Sequence, residues 1–168
     1  SAQVGGDKNA KTEYEVLKAY REALEQGKSA RTVQFDTKEE QLAARNLFLL
    51  TAKPVLYVCN VDEASAATGN AYVEAVRRAV ADEGAEILVV AAQTEADIAE
   101  LETYEERQMF LKDVGLEESG CNRLIKAAYK MLNLETFITA GEMEVKAWTY
   151  HKGWKAPQCA GVIHTDFE

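Results

Sequence analysis

Two polar side chains follow an apolar segment near the middle of the chain. Residues 53–63 are Lys-Pro-Val-Leu-Tyr-Val-Cys-Asn-Val-Asp-Glu, so Asn60 and Glu63 come at and just after the end of a predicted buried strand. An Asn amide can brace a neighbouring loop, and a carboxylate can accept hydrogen bonds from ring and exocyclic N–H groups. Ligands of open α/β sheets bind outside the carboxyl ends of the strands. The spacing therefore favours recognition of a nucleobase.

The same residues also suit an ordinary turn, because Asn and Asp favour such positions. On these four residues alone both interpretations stay open. Asp62, between the two candidate side chains, is expected to be a solvated carboxylate.

A phosphate-binding loop is not found in the sequence. Nucleotide hydrolases of the P-loop type hold phosphates with a Gly-x-x-x-x-Gly-Lys-Ser/Thr segment, and none occurs among the 168 residues. We therefore expect the chain to supply the base-recognition half of a nucleotide site and to hydrolyse nothing by itself.

The elements that position Asn60 and Glu63 are predicted from periodicity. A strand over residues 55–59, a helix over 71–83 and a strand over 87–90 form a βαβ unit. Other helices are predicted over residues 11–26, 37–48, 96–101, 104–112, 122–132 and 160–164, and alternating strands over 137–139 and 145–150. The side chains expected to face inward are Tyr14, Leu17 and Leu24; Tyr72, Val73, Val76 and Val80; and Leu124, Ile125, Ala128 and Leu132.

Composition narrows the function classes. The net charge of −9 argues against broad binding to DNA or other phosphate backbones. The three cysteines lie far apart, which is typical of a reducing cytoplasm, and Cys59 is expected to be buried and inert. No apolar run is long enough to span a membrane. With only His151 and His164 as histidines, and no zinc-type spacing, no metal site or redox function is expected.

Six further segments of the sequence are informative when they are taken together. The segments are Leu50-Thr-Ala-Lys-Pro-Val-Leu-Tyr-Val-Cys-Asn-Val-Asp-Glu63, Glu95-Ala-Asp-Ile-Ala-Glu-Leu101, Glu105-Glu-Arg107, Thr139-Ala-Gly141, Val145-Lys-Ala-Trp-Thr149 and residues 155–168. Together they resemble one family, the YchF/Obg-like ATPases. Their order and spacing match nearly end to end, which is more specific than any single motif.

The resemblance implies an α/β fold with a partial P-loop NTPase (Rossmann-like) sheet. Residues 1–48 correspond to the returning part of a helical, coiled-coil insertion, whose partner helix lies outside this sequence. Residues 49–133 correspond to the C-terminal half of the nucleotide-binding domain. Residues 134–168 correspond to the start of a β-grasp TGS domain. The chain is accordingly expected to be a piece of a longer protein.

The resemblance also implies a base-reading loop with altered chemistry. GTPases of this class use Asn-Lys-x-Asp, whereas this sequence has Asn60, Val61, Asp62 and Glu63. Glu is one methylene longer than Asp, and Val61 replaces the Lys stem that lies along guanine. Losing a bidentate acceptor relaxes discrimination, so the site is expected to lean towards ATP. The second base-side loop corresponds to Ala91, Ala92 and Gln93.

For the intact protein, the resemblance implies ATP or GTP hydrolysis with Mg²⁺ and association with the ribosome. Lys152, Trp154 and Lys155 are the candidate RNA contacts, since aromatic side chains among cations suit RNA. A core role is expected for Trp148. The competing hypothesis is a non-enzymatic module that docks on a ribosome or another protein. An upstream phosphate loop in the same polypeptide would distinguish the two.

Overall fold

The computed structural model describes residues 8–164, so residues 165–168 of the predicted C-terminal segment lie outside it. Within these residues the helices are α1 (Lys8–Glu25), α2 (Lys38–Asn46), α3 (Ala71–Ala79), α4 (Ala92–Glu100), α5 (Tyr104–Asp113), α6 (Gly120–Met131) and α7 (Ala156–Gly161). The strands are β1 (Leu56–Asn60), β2 (Glu86–Val90), β3 (Leu134–Ala140) and β4 (Val145–His151).

The chain divides into two compact units. One holds the described residues up to Val55 together with residues 75–85, and the other holds residues 56–74 and the described residues from Glu86 onward. The domain boundaries predicted near residues 48 and 133 come from the family resemblance. This division into compact units does not test them, and they stay a prediction.

The core of the first unit lies where α1 packs against α2. Val16 and Tyr20 of α1 are buried with Ala44 of α2, and the Tyr20 ring meets Phe35 edge-on at 5.2 Å. The predicted apolar stripe of α1 lies outside this core: Tyr14, Leu17 and Leu24 are 51%, 50% and 44% exposed. The small Ala44 side chain lets α1 approach α2 through the Val16–Tyr20 face. Within this unit α2 packs on α1, and the expected partner helix outside this sequence stays a prediction.

A local signal fixes the start of α2. The Thr37 side chain accepts from the backbone N–H of Glu40, and the Glu40 carboxylate accepts from the N–H of Thr37. This capping box satisfies two donors that the first turn leaves free. The helix predicted over residues 37–48 therefore begins with Thr37 as its N-cap.

The second unit contains a parallel pair of strands. β1 and β2 run in register from the pair Leu56↔Glu86 to the pair Asn60↔Val90, as the predicted βαβ unit requires. α6 contacts both strands. Cys59 is only half-buried, so its predicted full burial is wrong.

The inward faces of α3 and α6 are partly mispredicted. Val73 is 2% exposed, as predicted, whereas Tyr72 is 83% exposed. On α6 the buried positions are Gly120 and Ala127, because small residues allow the helix to lie close to the strands. The larger side chains predicted inward are instead partly exposed: Leu124 (36%), Ile125 (52%) and Leu132 (48%).

The last strands form an antiparallel hairpin. β3 and β4 pair from Leu134↔His151 to Ala140↔Val145. Trp148 is half-buried on β4 and donates its indole N–H to Thr139 Oγ1 at 2.9 Å. α7 begins earlier than predicted, at Ala156, because a proline fits the first turn of a helix.

Candidate functional site

The carboxyl ends of β1 and β2 meet at one edge of the sheet, and Asn60 links them. Its Oδ1 atom accepts a hydrogen bond from the backbone N–H of Ala92 at 3.0 Å. Ala92 opens α4, and the residue before it, Ala91, provides no side-chain cap. Asn60 therefore satisfies an N–H of the first turn that the helix leaves free.

The loop after β1 continues in a fixed conformation. The N–H of Val61 donates to the carbonyl of Val90 at 2.9 Å, which extends the strand pairing by one step. Asp62 accepts from the N–H of Ser65 at 2.9 Å and caps a 3₁₀ turn, Glu63–Ser65. The expectation that Asp62 is merely solvated is therefore wrong, because its carboxylate shapes the turn. Glu63 opens that turn and is exposed.

The loop after β2 carries the other predicted base-side residues. Ala91 is buried, whereas Ala92 and Gln93 are exposed. The Gln93 side chain donates to Asp97 Oδ1 at 2.9 Å, one helical turn further along α4. The structure therefore brings Asn60 and Ala92 into contact and places the two predicted loops at the same edge. Whether they bind a base stays a prediction.

A second contact that holds α4 in place was not predicted from the sequence. The Glu95 carboxylate accepts from the backbone N–H groups of Gly120 at 2.5 Å and Cys121 at 3.0 Å, in the first turn of α6. Ser119 accepts from Asn122 in the same turn. Glu95 belonged to a family-like segment, but nothing in its spacing indicated a partner 25 residues away. The acidic first turn of α4 was the only local signal.

Arg123 was also missed. Its guanidinium donates to the carbonyl of Val89 in β2 and is part-buried, and its Nε atom is buried without a hydrogen-bond partner among the described residues. A cation that holds a strand carbonyl fixes α6 against the sheet. The signal that could have identified Arg123 is a charged residue within a mostly apolar helical pattern.

The candidate RNA contacts lie beside the hairpin. Trp154 is 38% exposed and its ring packs on His151 at 5.3 Å. Lys152 forms an ion pair with Glu135 at 3.5 Å, and the N–H of Lys155 donates to Gln158 at the start of α7. These three residues lie in the segment between β4 and α7, and each of them is exposed.

Two tyrosines near the hairpin have shifted acidities. A hydrogen bond to the Glu135 carboxylate raises the pKa of Tyr150. A hydrogen bond with Thr149 lowers the pKa of Tyr129 and joins α6 to β4. These two contacts hold α6 and the hairpin in place. They involve none of the residues that are predicted to bind a base.

In the part of the chain that the structure describes, no cluster of His, Cys, Asp and Glu is suited to hold a metal ion. Among residues 8–164, no helix is both long and apolar enough to cross a membrane.

A parallel β1–β2 pair with an Asn-braced carboxyl edge, followed by an antiparallel β hairpin, defines a mixed α/β protein. A family model, YchF-GTPase_C, described as a protein of unknown function (DUF933), matches residues 134–168. The chain belongs to the YchF family, as its curated relatives and a solved structure show.

Two relatives and one structure illustrate the similarity. The ribosome-binding ATPase YchF of Bacillus subtilis (strain 168) is 53% identical over 164 residues, which are 96% of this chain and 44% of that protein. The protein of the same name from Escherichia coli O157:H7 is 49% identical and is matched over 98% of this chain and 44% of its own length. The Schizosaccharomyces pombe YchF GTPase superposes with a TM-score of 0.82 at 32% identity, covering 100% of this chain and 45% of that one. The chain thus spans less than half the length of these proteins.

Proposed function

We propose that the edge formed by Asn60–Glu63 and Ala91–Gln93 binds the base of a nucleoside triphosphate in a YchF-type ATPase. Glu63 accepts from N–H groups of the base, Val61 packs along its apolar face, and Asn60 holds the two loops at a fixed separation. Ala91, Ala92 and Gln93 line the opposite side.

The observation that carries this proposal is the hydrogen bond from Ala92 to Asn60. It joins the two loops that a base would contact, at the edge of a parallel sheet where ligands of such folds bind. The exposed Glu63 carboxylate on the first loop is then the charged acceptor available to the base.

The chemistry of the first loop supports a preference for ATP. The 3₁₀ turn that Asp62 caps sets the backbone of Glu63, and the Glu63 side chain places its carboxylate one methylene further out than an Asp would. Val61 supplies no cation. Without a well-placed bidentate acceptor, guanine gains little over adenine. The names of the relatives, two ATPases and one GTPase, are consistent with a site that admits both bases.

We propose further roles for the remaining segments from the names of the relatives. The intact protein associates with the ribosome in the cytoplasm, and Lys152, Trp154 and Lys155 take part in that contact. Residues 1–48 belong to a helical insertion, 49–133 to the nucleotide-binding domain and 134–168 to a TGS domain. The phosphates and Mg²⁺ are held by residues outside these 168, so this segment alone does not hydrolyse ATP.

Exchange of the base-reading residues tests the proposal. In a full-length YchF protein that carries this segment, Glu63→Asp combined with Val61→Lys should shift relative affinity from ATP towards GTP by about tenfold or more, since hydrogen-bonding differences discriminate strongly. Isothermal titration with each nucleotide and Mg²⁺ measures this. Glu100→Asp, the same exchange at the exposed end of α4, is the matched control.

Unchanged relative affinities in the double variant would remove Glu63 from base recognition. If the unmodified full-length protein binds neither nucleotide, the alternative of a non-enzymatic ribosome- or protein-binding module is favoured.

A further inference from the structure

The Glu95 carboxylate joins two helices that follow different strands and loops. Glu95 lies in the first turn of α4 and accepts from two backbone N–H groups of α6, those of Gly120 and Cys121. Both oxygen atoms are used, one for each N–H. A carboxylate is favoured there because the start of a helix carries partial positive charge and unsatisfied donors.

The surroundings of Gly120 show how close this contact is. A methyl group placed on Gly120 would lie 2.9 Å from Glu95 Oε1 and 3.0 Å from a methyl carbon of Val90. Gly120 is buried. Only a residue without a side chain permits α6 to approach both the end of β2 and Glu95, so the geometry leaves the carboxylate little freedom to move.

The first turn of α4 is therefore held by hydrogen bonds to two different elements, the end of β1 and the start of α6. Asn60 accepts from the N–H of Ala92, and Glu95, at the end of the same turn, accepts from two N–H groups of α6. The residues proposed to line the base are Ala91, Ala92 and Gln93. They lie at or next to the first of these two contacts.

We propose that Glu95 is a positioning residue for the nucleobase: through its contact with α6 it sets the distance of the Ala91–Gln93 loop from Glu63. The inference rests on the proposed function, because it assigns a role within that same site. Glu95 does not touch the base. It acts by keeping the second loop where the base can lie against it, and small misplacements of such a loop weaken binding considerably.

A purely structural role for the same contact makes a different prediction. If Glu95 only stabilised α6, its loss would weaken the binding of every ligand alike or none at all. A positioning residue for the base affects only the part of the affinity that the base contributes. Comparison of ATP with inorganic tripolyphosphate, which has the phosphates but no base, separates the two.

The test uses Glu95→Gln in a full-length YchF protein that carries this segment, with Glu100→Gln on the same helix as the control. Gln keeps the size of the side chain but turns an N–H₂ group towards a backbone N–H, so one donor of α6 loses its partner. Titrations with Mg²⁺ and either ATP or tripolyphosphate should show ATP affinity reduced about tenfold and tripolyphosphate affinity unchanged. The control should bind both as the unmodified protein does.

Several outcomes overturn the inference. An equal loss for both ligands would assign Glu95 a structural role, and no loss for either would assign it none. If the unmodified protein binds ATP no better than tripolyphosphate, the proposed base site itself fails, which is distinguishable from a failure of Glu95 alone.

A measurement on the unmodified protein covers the case in which Glu95→Gln does not fold. Amide hydrogen exchange at Gly120 and Cys121 should slow when ATP binds and stay the same when tripolyphosphate binds, because only a bound base presses the second loop into place. Equal slowing by both ligands, or by neither, would contradict the proposal. Gly120→Ala, which displaces the carboxylate, should reproduce the selective loss of ATP affinity.

Discussion

Asn60 and Ala92 are 32 residues apart in sequence, yet the side-chain oxygen of the first lies 3.0 Å from the backbone nitrogen of the second. This hydrogen bond links the loops after β1 and β2 directly. In a parallel pair the two strands end together, so the bond closes the sheet at the edge where a ligand of this fold binds.

Removal of the Asn60 amide should loosen this edge. For Asn60→Ala we expect a loss of about 1 kcal/mol in the free energy of unfolding, because the N–H of Ala92 loses its protein partner. Urea denaturation of the 168-residue chain, followed by circular dichroism, measures the midpoint. Asn122→Ala, an exposed position on α6, is the control and should leave the midpoint unchanged. Equal midpoints for both variants would show that water replaces the Asn60 amide fully.

The capping box of α2 should be visible in an acid titration. The Thr37 side chain, followed by its backbone N–H, lowers the pKa of Glu40 by hydrogen bonding to the carboxylate. Because the folded pKa lies below the unfolded one, the stabilisation is present above an unfolded pKa of about 4.3. It is lost as the pH falls through the lowered pKa of the folded chain.

The pKa of Glu40 is measured by carboxyl-carbon NMR in the unmodified chain and in Thr37→Ala. We expect the pKa of Glu40 to return towards its ordinary value in the variant. Glu106, whose pKa is lowered by Thr103 in the equivalent box of α5, serves as the internal control and should titrate as before. Identical curves for Glu40 in the two proteins would refute the assignment of its pKa to Thr37.

Ribosome contact should depend on the exposed cluster after β4. Replacing Lys152, Trp154 and Lys155 with Ala in a full-length YchF protein that carries this segment should reduce co-sedimentation with ribosomes severalfold, while ATP hydrolysis stays unchanged. Base stacking on an aromatic ring and pairing of phosphates with lysines are both lost.

A second aromatic side chain with two cations provides the control for that triple variant. Tyr72, Arg77 and Arg78 lie on α3, and Tyr72 is 83% exposed. Their replacement with Ala removes the same amount of charge and one ring. Equal co-sedimentation of the two triple variants would remove the cluster after β4 from the ribosome contact.

Local signals in the sequence were sufficient to predict the main elements. The alternation predicted over residues 137–139 and 145–150 appears within a hairpin, and Thr37 caps the helix that was predicted to begin there. Which face of each helix is buried was harder to predict. On α6 the burial of Gly120 and Ala127, in place of larger apolar side chains, depends on how closely the helix approaches the strands, which periodicity does not contain.

The candidate site was predicted only in part, for a related physical reason. Asn60 and Glu63 follow an apolar strand and are visible as a motif. Glu95, Gly120 and Arg123 act through partners that lie 25, 25 and 34 residues away. A carboxylate bound to the start of a distant helix has the same local pattern as a solvated one, so three-dimensional contact was needed to identify it.

The two strand pairs described above also imply an order of events when the chain folds. β3 and β4 are neighbours in sequence, and hairpins of this kind form in about 1–10 μs. β1 and β2 pair in parallel across the whole of α3, so the chain must first close a much longer loop at an entropic cost. We therefore expect the hairpin to form early and the sheet that carries Asn60 to form late, so that the proposed base site is among the last parts of the chain to be completed.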